Sequence, residues 1–155
     1  MNTIISHSPE ETKGIAKKWL MDISAGNDSS EAVIIGLCGP LGSGKTAFVQ
    51  AIAEALGVKK YVTSPTFVLM KMYEINSKVG LFSWKRLVHI DAYRLEKPEE
   101  VEALNFESIV SDSHNLVLIE WADNIEKALP QDWKRIDFET LGEDERGIVF
   151  TGREE

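Results

Sequence analysis

The sequence predicts an α/β fold of three layers, in which a parallel central sheet with flanking antiparallel strands lies between helices. The first observation is an apolar run rich in β-branched residues at 32–38, which is typical of a buried strand. The second is the helical spacing of apolar residues at 47–56. The third is a pair of short apolar runs, 87–91 and 116–120, that each end in a carboxylate. Parallel strands whose carboxyl ends face a ligand have this form.

The first elements of the chain follow from local signals. A short strand is predicted at 3–6, and a helix is predicted after it that ends near Ile23. Ser8, Pro9 and Glu11 mark the start of this helix, because they supply a capping hydroxyl, a proline at the first helical position and an acidic third residue.

The middle of the chain is predicted to hold a hairpin and a further helix. Residues 63–66 are typical of a loop, 67–75 of a strand and 76–80 of a turn. Residues 81–84 are predicted to return as the second strand of the hairpin. Pro98 is predicted to begin a helix between the two strands that end in a carboxylate.

The last part of the chain predicts a terminal antiparallel hairpin. Residues 133–140 and 147–151 flank the polar turn 142–146, which is a typical hairpin pattern. No repeat, low-complexity stretch or long linker divides the 155 residues, so we expect a single domain over 1–155.

Composition and charge exclude several classes of protein. The formal net charge of −8 argues against tight autonomous binding to nucleic acid, because affinity for phosphates comes from clustered Lys and Arg. The single cysteine, Cys38, lies in an apolar run and is expected to be a buried hydrophobe. The histidines lack zinc-ligand spacing, and no apolar run matches a membrane span or a secretory signal. We therefore expect a soluble, cytoplasmic protein without a membrane partner.

Residues 39–46 read G-P-L-G-S-G-K-T, a complete Walker A phosphate-binding loop between the predicted strand 32–38 and the predicted helix 47–56. In such a loop the backbone N–H groups surround the phosphates, Lys45 adds a cation near the β- and γ-phosphates, and the Thr46 hydroxyl can ligate Mg²⁺. The helix N-terminus that follows also favours an anion. The residues predicted to contact the nucleotide are Gly39, Pro40, Leu41, Gly42, Ser43, Gly44, Lys45, Thr46 and Ala47.

The base of the nucleotide is predicted from weaker signals. No Asn-Lys-x-Asp motif for guanine is present in the chain, which favours ATP, bound with Mg²⁺. A D-x-x-G string at 144–147 follows no apolar strand and does not support a nucleotide switch. Trp133 is a candidate to stack against the adenine.

Asp91 and Glu120 are the candidate acidic groups of the same site. A P-loop NTPase needs an acidic group beside Thr46 for the Mg²⁺ shell and another group to orient the attacking water. Asp91 resembles the usual Walker B aspartate, whereas Glu120 has a longer reach that suits either a metal or a water. Spacing alone does not assign the two roles, and either residue is alternatively a strand-end cap or a solvated turn residue.

Three further motifs accompany the octet: Ser64-Pro-Thr-Phe67, His89-Ile-Asp-Ala-Tyr-Arg94 and Ile119-Glu-Trp121. In this order they closely resemble the bacterial TsaE family, also called YjeE, from the N-terminal helix to about Pro130. The resemblance implies a small P-loop ATPase required to make threonylcarbamoyladenosine, the modified adenosine beside the anticodon of tRNAs that read codons starting with A. It also implies TsaB-like and TsaD-like partners, with TsaD carrying the transferase chemistry, and tRNA held only through that complex.

The resemblance implies roles for individual residues as well. Thr46 and Glu120 would be the Mg²⁺ ligands. Lys45 would be the phosphate cation and Asp91 an essential acidic residue near the γ-phosphate, so that Lys45, Asp91 and Glu120 are the candidate catalytic residues. Residues 64–67 would form a switch-like loop. We expect Mg-dependent ATP hydrolysis that is slow for the chain alone and is stimulated by the partners.

Several positions leave alternatives open or depart from the family pattern. Tyr93 and Trp121 are equally compatible with a core role and with a partner contact, and Arg94 with a phosphate or partner contact or a surface ion pair. Ala47 stands where many relatives have a second Thr, which removes a hydroxyl but not the proposed Mg²⁺ ligand. Asn105 replaces a frequent Gly, and Asn tolerates the left-handed conformation better than most residues. The stretch before the His89 motif is longer than usual.

Two other classes of protein share part of this pattern. Small-molecule kinases are also short P-loop proteins with an acidic group near the acceptor, but no arginine-rich lid segment follows the core here. A nucleotide-dependent binding module that never hydrolyses its ligand is the other alternative.

Overall fold

The computed structural model describes residues 3–25, 30–58, 69–75, 83–97 and 99–151 of the chain. Most helices and strands lie close to the predicted bounds. In chain order they are β1 (Thr3–Ser6), α1 (Pro9–Ala25), β2 (Val33–Cys38), α2 (Lys45–Ala55), β3 (Met70–Glu74), β4 (Arg86–Asp91), α3 (Glu99–Glu102), α4 (Phe106–Val110), β5 (Asn115–Glu120), a 3₁₀ helix (Ala122–Ala128), β6 (Lys134–Thr140) and β7 (Arg146–Thr151).

The strands form one mixed sheet of seven strands in the order β1-β7-β6-β2-β5-β4-β3. At its centre β2 pairs in parallel with β5 and β6, and β4 pairs in parallel with β5. The outer pairs are antiparallel: β3 with β4, β6 with β7, and β1 with β7. The predicted arrangement of a parallel centre and antiparallel flanks is therefore confirmed.

Helices cover both faces of the sheet, which confirms the predicted three layers. Alternate residues of β2 illustrate this, because Val33, Ile35 and Leu37 pack in the cluster that contains α1 and α2. Ile34 and Cys38 pack on the opposite face with α3, α4 and the 3₁₀ helix. Residues of β2 and β5 are buried over the full length of both strands, as expected for central parallel strands.

Cys38 is 2% exposed, which confirms the expectation of a buried cysteine. Burial raises the pKa of its thiol to about 11, so the side chain is a neutral thiol at physiological pH. Within the described residues, no helix is both long enough and apolar enough to cross a membrane.

The predicted helix between the two carboxylate-ending strands is present as α3, which starts at Glu99, and a second short helix, α4, follows it. Pro98, its predicted start, lies outside the described residues. Asn105 separates the two helices with a φ of 57°, a left-handed conformation that a right-handed helix cannot contain. Asn105 thus adopts the left-handed conformation that Asn tolerates better than most residues.

The predicted hairpin partner at 81–84 is also different in the structure. The described residues Ser83 and Trp84 are not in a strand, and β3 pairs instead with β4, from Met70 opposite Ile90 to Glu74 opposite Arg86. One apolar strand thus serves both as the hairpin partner of β3 and as a central parallel strand. The predictions at 63–66 and 76–80, and residues 67–68, 81 and 82, lie outside the described residues.

Candidate nucleotide site

The candidate phosphate-binding loop lies where three parallel strands end. It connects β2 to α2, and β5 lies beside β2 with Leu37 opposite Glu120. On the other side of β5, Asp91 at the end of β4 lies opposite Glu120. Strand register therefore brings both candidate carboxylates to the loop, as the carboxyl ends of parallel strands require.

Glycines determine the path of the loop. Gly39, Gly42 and Gly44 have φ values of 146°, 77° and 103°, which favour glycine because they lie in the left-handed region. At Gly39 there is also no space for a side chain, since a Cβ would lie 2.5 Å from the backbone oxygen of Phe138. The loop closes on itself through the Ser43 N–H, which donates to the Pro40 oxygen at 3.2 Å.

Helix α2 starts directly after these glycines. Gly44 is its N-cap, and the first intrahelical bond runs from the Phe48 N–H to the Gly44 oxygen at 3.0 Å. The N–H groups of a first helical turn have no intrahelical acceptor and carry a partial positive charge. A loop of this conformation followed by a helix N-terminus is suited to bind phosphate groups.

Lys45 places a cation inside the loop. Its ammonium donates to the Gly39 oxygen and, at 2.9 Å, to the Pro40 oxygen, and it lies 4.0 Å from the centroid of the Trp121 ring. The residue is only 5% exposed. Burial lowers the pKa of the ammonium, and the nearby carboxylate of Glu120 is the largest opposing influence. The ammonium is thus held at the loop by carbonyls and an aromatic face.

Thr46 and Glu120, the proposed metal ligands, are in direct contact. The Thr46 hydroxyl donates to Oε1 of Glu120 at 2.7 Å. Hydroxyl and carboxylate oxygens are hard donors that suit Mg²⁺. Among the residues that the structure describes, no group of three or more His, Cys, Asp and Glu side chains is arranged to hold a metal. A pair of protein oxygens still fits Mg²⁺, because this ion is usually bound by one or two protein groups, substrate phosphates and waters.

The second candidate carboxylate is fixed by its own strand end. Asp91 is 4% exposed, and its Oδ1 accepts the Tyr93 N–H at 3.0 Å. The Ala92 N–H donates to the backbone oxygen of Glu120 at 2.9 Å, and the Asn124 amide donates to the Ala92 oxygen at 3.0 Å. Hydrogen bonds therefore connect the segment that follows β4 to the end of β5 and to the segment that follows β5. Sequence reasoning did not single out Asn124.

Sequence reasoning also missed a role for His89, which it quoted only as part of a motif. The imidazole is fully buried, and its Nε2 lies 2.6 Å from Oε2 of Glu120. The available signal was its position two residues before Asp91, because alternate residues of a strand face the same side of the sheet.

A cavity of about 400 Å³ brings most of the candidate residues together. It includes all three candidate catalytic side chains and both proposed metal ligands. Its described lining consists of Leu41, Gly42, Gly44, Lys45, Thr46, Ala47, Asp91, Tyr93, Glu120 and Trp121. A larger cavity, of about 720 Å³, lies between α3, α4 and the 3₁₀ helix and contains none of the candidate residues.

Some candidate residues lie outside the lining of the 400 Å³ cavity. Trp133 packs over Gly36 in β2, where an added Cβ would lie 2.3 Å from its ring, on the face covered by the 3₁₀ helix. Its stacking with adenine stays a prediction. Ser43 is buried, and its Oγ has no hydrogen-bond partner among the described residues. The predicted switch-like loop at 64–67 lies outside the part of the chain that the structure describes.

The aromatic residues at the cavity have different environments. Tyr93 is 56% exposed, which argues against a core role for it, while Trp121 is half-buried and contacts Tyr93 with ring centroids 5.1 Å apart. Trp121 also has a φ of 58°, an uncommon value for a bulky residue. Backbone strain of this kind is concentrated at functional sites.

The glycine-lined loop, the helix that follows it and the three converging strand ends define a P-loop nucleotide-binding protein with an α/β fold. Residues 6–148 match the family model described as "Threonylcarbamoyl adenosine biosynthesis protein TsaE". The chain belongs to the TsaE family.

Relatives and a solved structure agree with this assignment. A Bacillus subtilis (strain 168) protein named "tRNA threonylcarbamoyladenosine biosynthesis protein TsaE" is 39% identical over 144 residues, which cover 93% of this chain and 81% of that protein. A protein of the same name from Rickettsia bellii is 36% identical, over 92% of this chain and 89% of its own length. The crystal structure of Bacillus subtilis YdiB superposes with a TM-score of 0.72 at 30% identity, covering 97% of this chain and 84% of that one.

Substitution of Gly39 by Ala is expected to lower the free energy of unfolding by roughly 1–3 kcal/mol, because the left-handed backbone would be strained. The clash with the Phe138 oxygen adds to this effect. Gly14→Ala is the matched control, since Gly14 lies in α1 with nothing within 4 Å of an added Cβ. This control should gain about 0.5–1 kcal/mol. Urea unfolding measures both, and an equal effect of the two substitutions would contradict the strain at Gly39.

Proposed function

We propose that this chain is the ATP-binding and ATP-hydrolysing subunit required to form threonylcarbamoyladenosine in tRNAs that read codons starting with A. The observation that carries the proposal is the convergence of Lys45, Thr46, Asp91 and Glu120 on one cavity in a member of the TsaE family. TsaB-like and TsaD-like proteins are the proposed partners.

Phosphate binding is assigned to the loop and to the first turn of α2. Backbone N–H groups of the loop surround the β- and γ-phosphates, and the Lys45 ammonium adds a positive charge. To reach a phosphate oxygen, the ammonium exchanges its contacts with the Gly39 and Pro40 oxygens for contacts with the ligand. Because Lys45 is only 5% exposed, water screens the interaction of its ammonium with a phosphate less than at an exposed site.

The proposed metal site is formed by Thr46 and Glu120. Mg²⁺ would neutralise negative charge on the β- and γ-phosphates there. The contact of 2.7 Å between the Thr46 hydroxyl and Oε1 of Glu120 shows that the two oxygens face each other already. Little rearrangement of these side chains is then needed to share a ligand.

Asp91 is assigned to the attacking water near the γ-phosphate. The Tyr93 N–H holds one of its oxygens at 3.0 Å, which restricts the orientation of the carboxylate. A carboxylate in a fixed orientation can accept a hydrogen bond from a water and align it for attack. Lys45, Asp91 and Glu120 together are the proposed catalytic residues.

The rim of the cavity supports control of hydrolysis by a partner. Leu41 is 86% exposed and Tyr93 is 56% exposed, and both side chains line the cavity. Exclusion of water from a site strengthens its electrostatic interactions. A partner that covers this apolar rim would therefore stimulate hydrolysis, and the chain alone should hydrolyse ATP slowly.

The acidic charge of the chain supports tRNA binding by the assembled complex and not by this chain alone. A formal net charge of −8 opposes association with a phosphate backbone. We therefore propose that the partners contact the tRNA, while this chain supplies the nucleotide-dependent step.

Phosphate release from Mg-ATP, measured with and without cognate TsaB-like and TsaD-like proteins, tests this proposal. We expect slow turnover alone and a clear increase when both partners are present, with no phosphorylated acceptor. A phosphorylated small molecule would favour the kinase alternative instead. Nucleotide binding without phosphate release in the presence of both partners would favour a binding module that does not hydrolyse ATP.

A further inference from the structure

His89 forms a buried pair with Glu120, one of the two proposed metal ligands. His89 is fully buried and Glu120 is 3% exposed. Nε2 of His89 lies 2.6 Å from Oε2 of Glu120, while Oε1 of the same carboxylate accepts the Thr46 hydroxyl at 2.7 Å. The two carboxylate oxygens of Glu120 therefore have different partners: Oε2 contacts His89, and Oε1 contacts Thr46.

His89 lies between apolar and polar neighbours in the sheet, and one described contact uses its imidazole. Of the residues beside it on the same face of the sheet, Leu118 opposite it on β5 belongs to the apolar core, whereas Asp91 on its own strand and Lys71 opposite it on β3 are polar. Nδ1 has no hydrogen-bond partner among the described residues. A buried polar group is unfavourable unless it is hydrogen-bonded, so among the described residues the contact with Glu120 is the interaction that accounts for a histidine here.

The contact with His89 does not occupy Oε1, the oxygen of Glu120 that is proposed to bind the metal. It uses Oε2, whereas Oε1 faces Thr46. A glutamate side chain has several rotatable bonds, and a hydrogen bond to one oxygen limits the orientations of the other. Residues that hydrogen-bond to a metal-ligating group orient that group, and their loss typically weakens metal affinity by about 10–100-fold.

We propose that His89 is a positioning residue for nucleotide-bound Mg²⁺: its Nε2–H donates to Oε2 of Glu120 and holds Oε1 toward Thr46. This inference rests on the proposed function, because it takes Thr46 and Glu120 as the metal ligands. It assigns to His89 no contact with the substrate and no proton transfer.

The test compares His89→Leu with His89→Gln. Leu removes the donor at similar volume, whereas Gln retains an N–H at a reach similar to that of Nε2. Affinity for an ATP analogue with a β,γ-imido bridge is measured by calorimetry, once with excess Mg²⁺ and once in EDTA. Glu120→Gln, which alters the proposed ligand itself, serves as the reference variant.

We expect His89→Leu to weaken binding of the Mg²⁺ complex by about 10-fold or more and to change binding in EDTA by less than about twofold. His89→Gln should recover most of the affinity for the Mg²⁺ complex. A merely structural role would affect both conditions alike, so the ratio of the two affinities separates the two roles. Thermal unfolding in EDTA checks that each variant is folded. If His89→Leu does not fold, His89→Asn replaces it, because its shorter amide does not reach the position of Nε2.

Two results would overturn the inference alone. In both, the wild type keeps its preference for the Mg²⁺ complex. The first is that His89→Leu weakens binding of the analogue equally with and without Mg²⁺. The second is that His89→Gln binds the Mg²⁺ complex no better than His89→Leu does. A wild type that binds the analogue equally well in Mg²⁺ and in EDTA would instead reject the proposed metal site, and the inference with it.

Discussion

Depletion of this protein is expected to leave tRNAs that read codons starting with A without threonylcarbamoyladenosine, and Lys45→Ala is expected not to restore the modification. The Lys45 ammonium lies in the cavity that Thr46 and Glu120 also line. Its removal deletes a cation that a triphosphate needs, whereas alanine is well tolerated as the first residue of α2. Nucleoside mass spectrometry of digested tRNA measures the result.

The matched control for this experiment is Lys18→Ala. Lys18 is an exposed residue of α1, so the substitution removes the same charge far from the proposed site. Wild type and Lys18→Ala should restore the modification, and circular dichroism should show that Lys45→Ala is folded. Unchanged modification after depletion, in cells without a second gene of this family, would reject the proposed function.

Mg-ATP is expected to raise the melting temperature of the protein by roughly 5–10 °C, and Lys45→Ala is expected to lose most of this shift. A ligand at about 100 times its dissociation constant stabilises the folded state by about 2.7 kcal/mol. For a chain of this size, each kcal/mol corresponds to ~2–4 °C. Differential scanning fluorimetry with and without millimolar Mg-ATP gives both shifts.

The shift, and not the melting temperature itself, is the informative quantity for Lys45→Ala. Burial lowers the pKa of the Lys45 ammonium, because desolvation disfavours its charged form. The substitution therefore also changes the stability of the protein without ligand. Lys18→Ala should retain the full shift. The absence of any shift for the wild type in millimolar Mg-ATP would contradict the proposed nucleotide site.

The central strands and the helices that flank the loop were predictable because their signals are local. The apolar run before the octet and the helical spacing after it correspond to β2 and α2. The carboxylate-ending runs correspond to β4 and β5, and their parallel pairing sets Asp91 opposite Glu120. Hydrophobic periodicity reports local burial, and three adjacent parallel strands bring their carboxyl ends to one edge.

The failures of prediction have equally specific causes. The helix predicted from Pro98 is present as α3, but the second helix, α4, was not predicted; the left-handed conformation of Asn105 separates the two. The 3₁₀ helix after β5 was missed because it is only seven residues long and its backbone conformation changes at Ile125. The β3–β4 hairpin was misplaced because one apolar run serves two different pairings.

The sequence by itself determined the class of fold, the position of the phosphate-binding octet and the membership of the TsaE family that the comparisons confirm. The tertiary structure alone decided that His89 contacts Glu120 across 31 residues of sequence and that Thr46 contacts it across 74. It also placed the Trp133 ring over Gly36 and outside the cavity lining. The reason is that local patterns encode burial and chain direction, whereas side-chain contacts between distant residues depend on strand order and register.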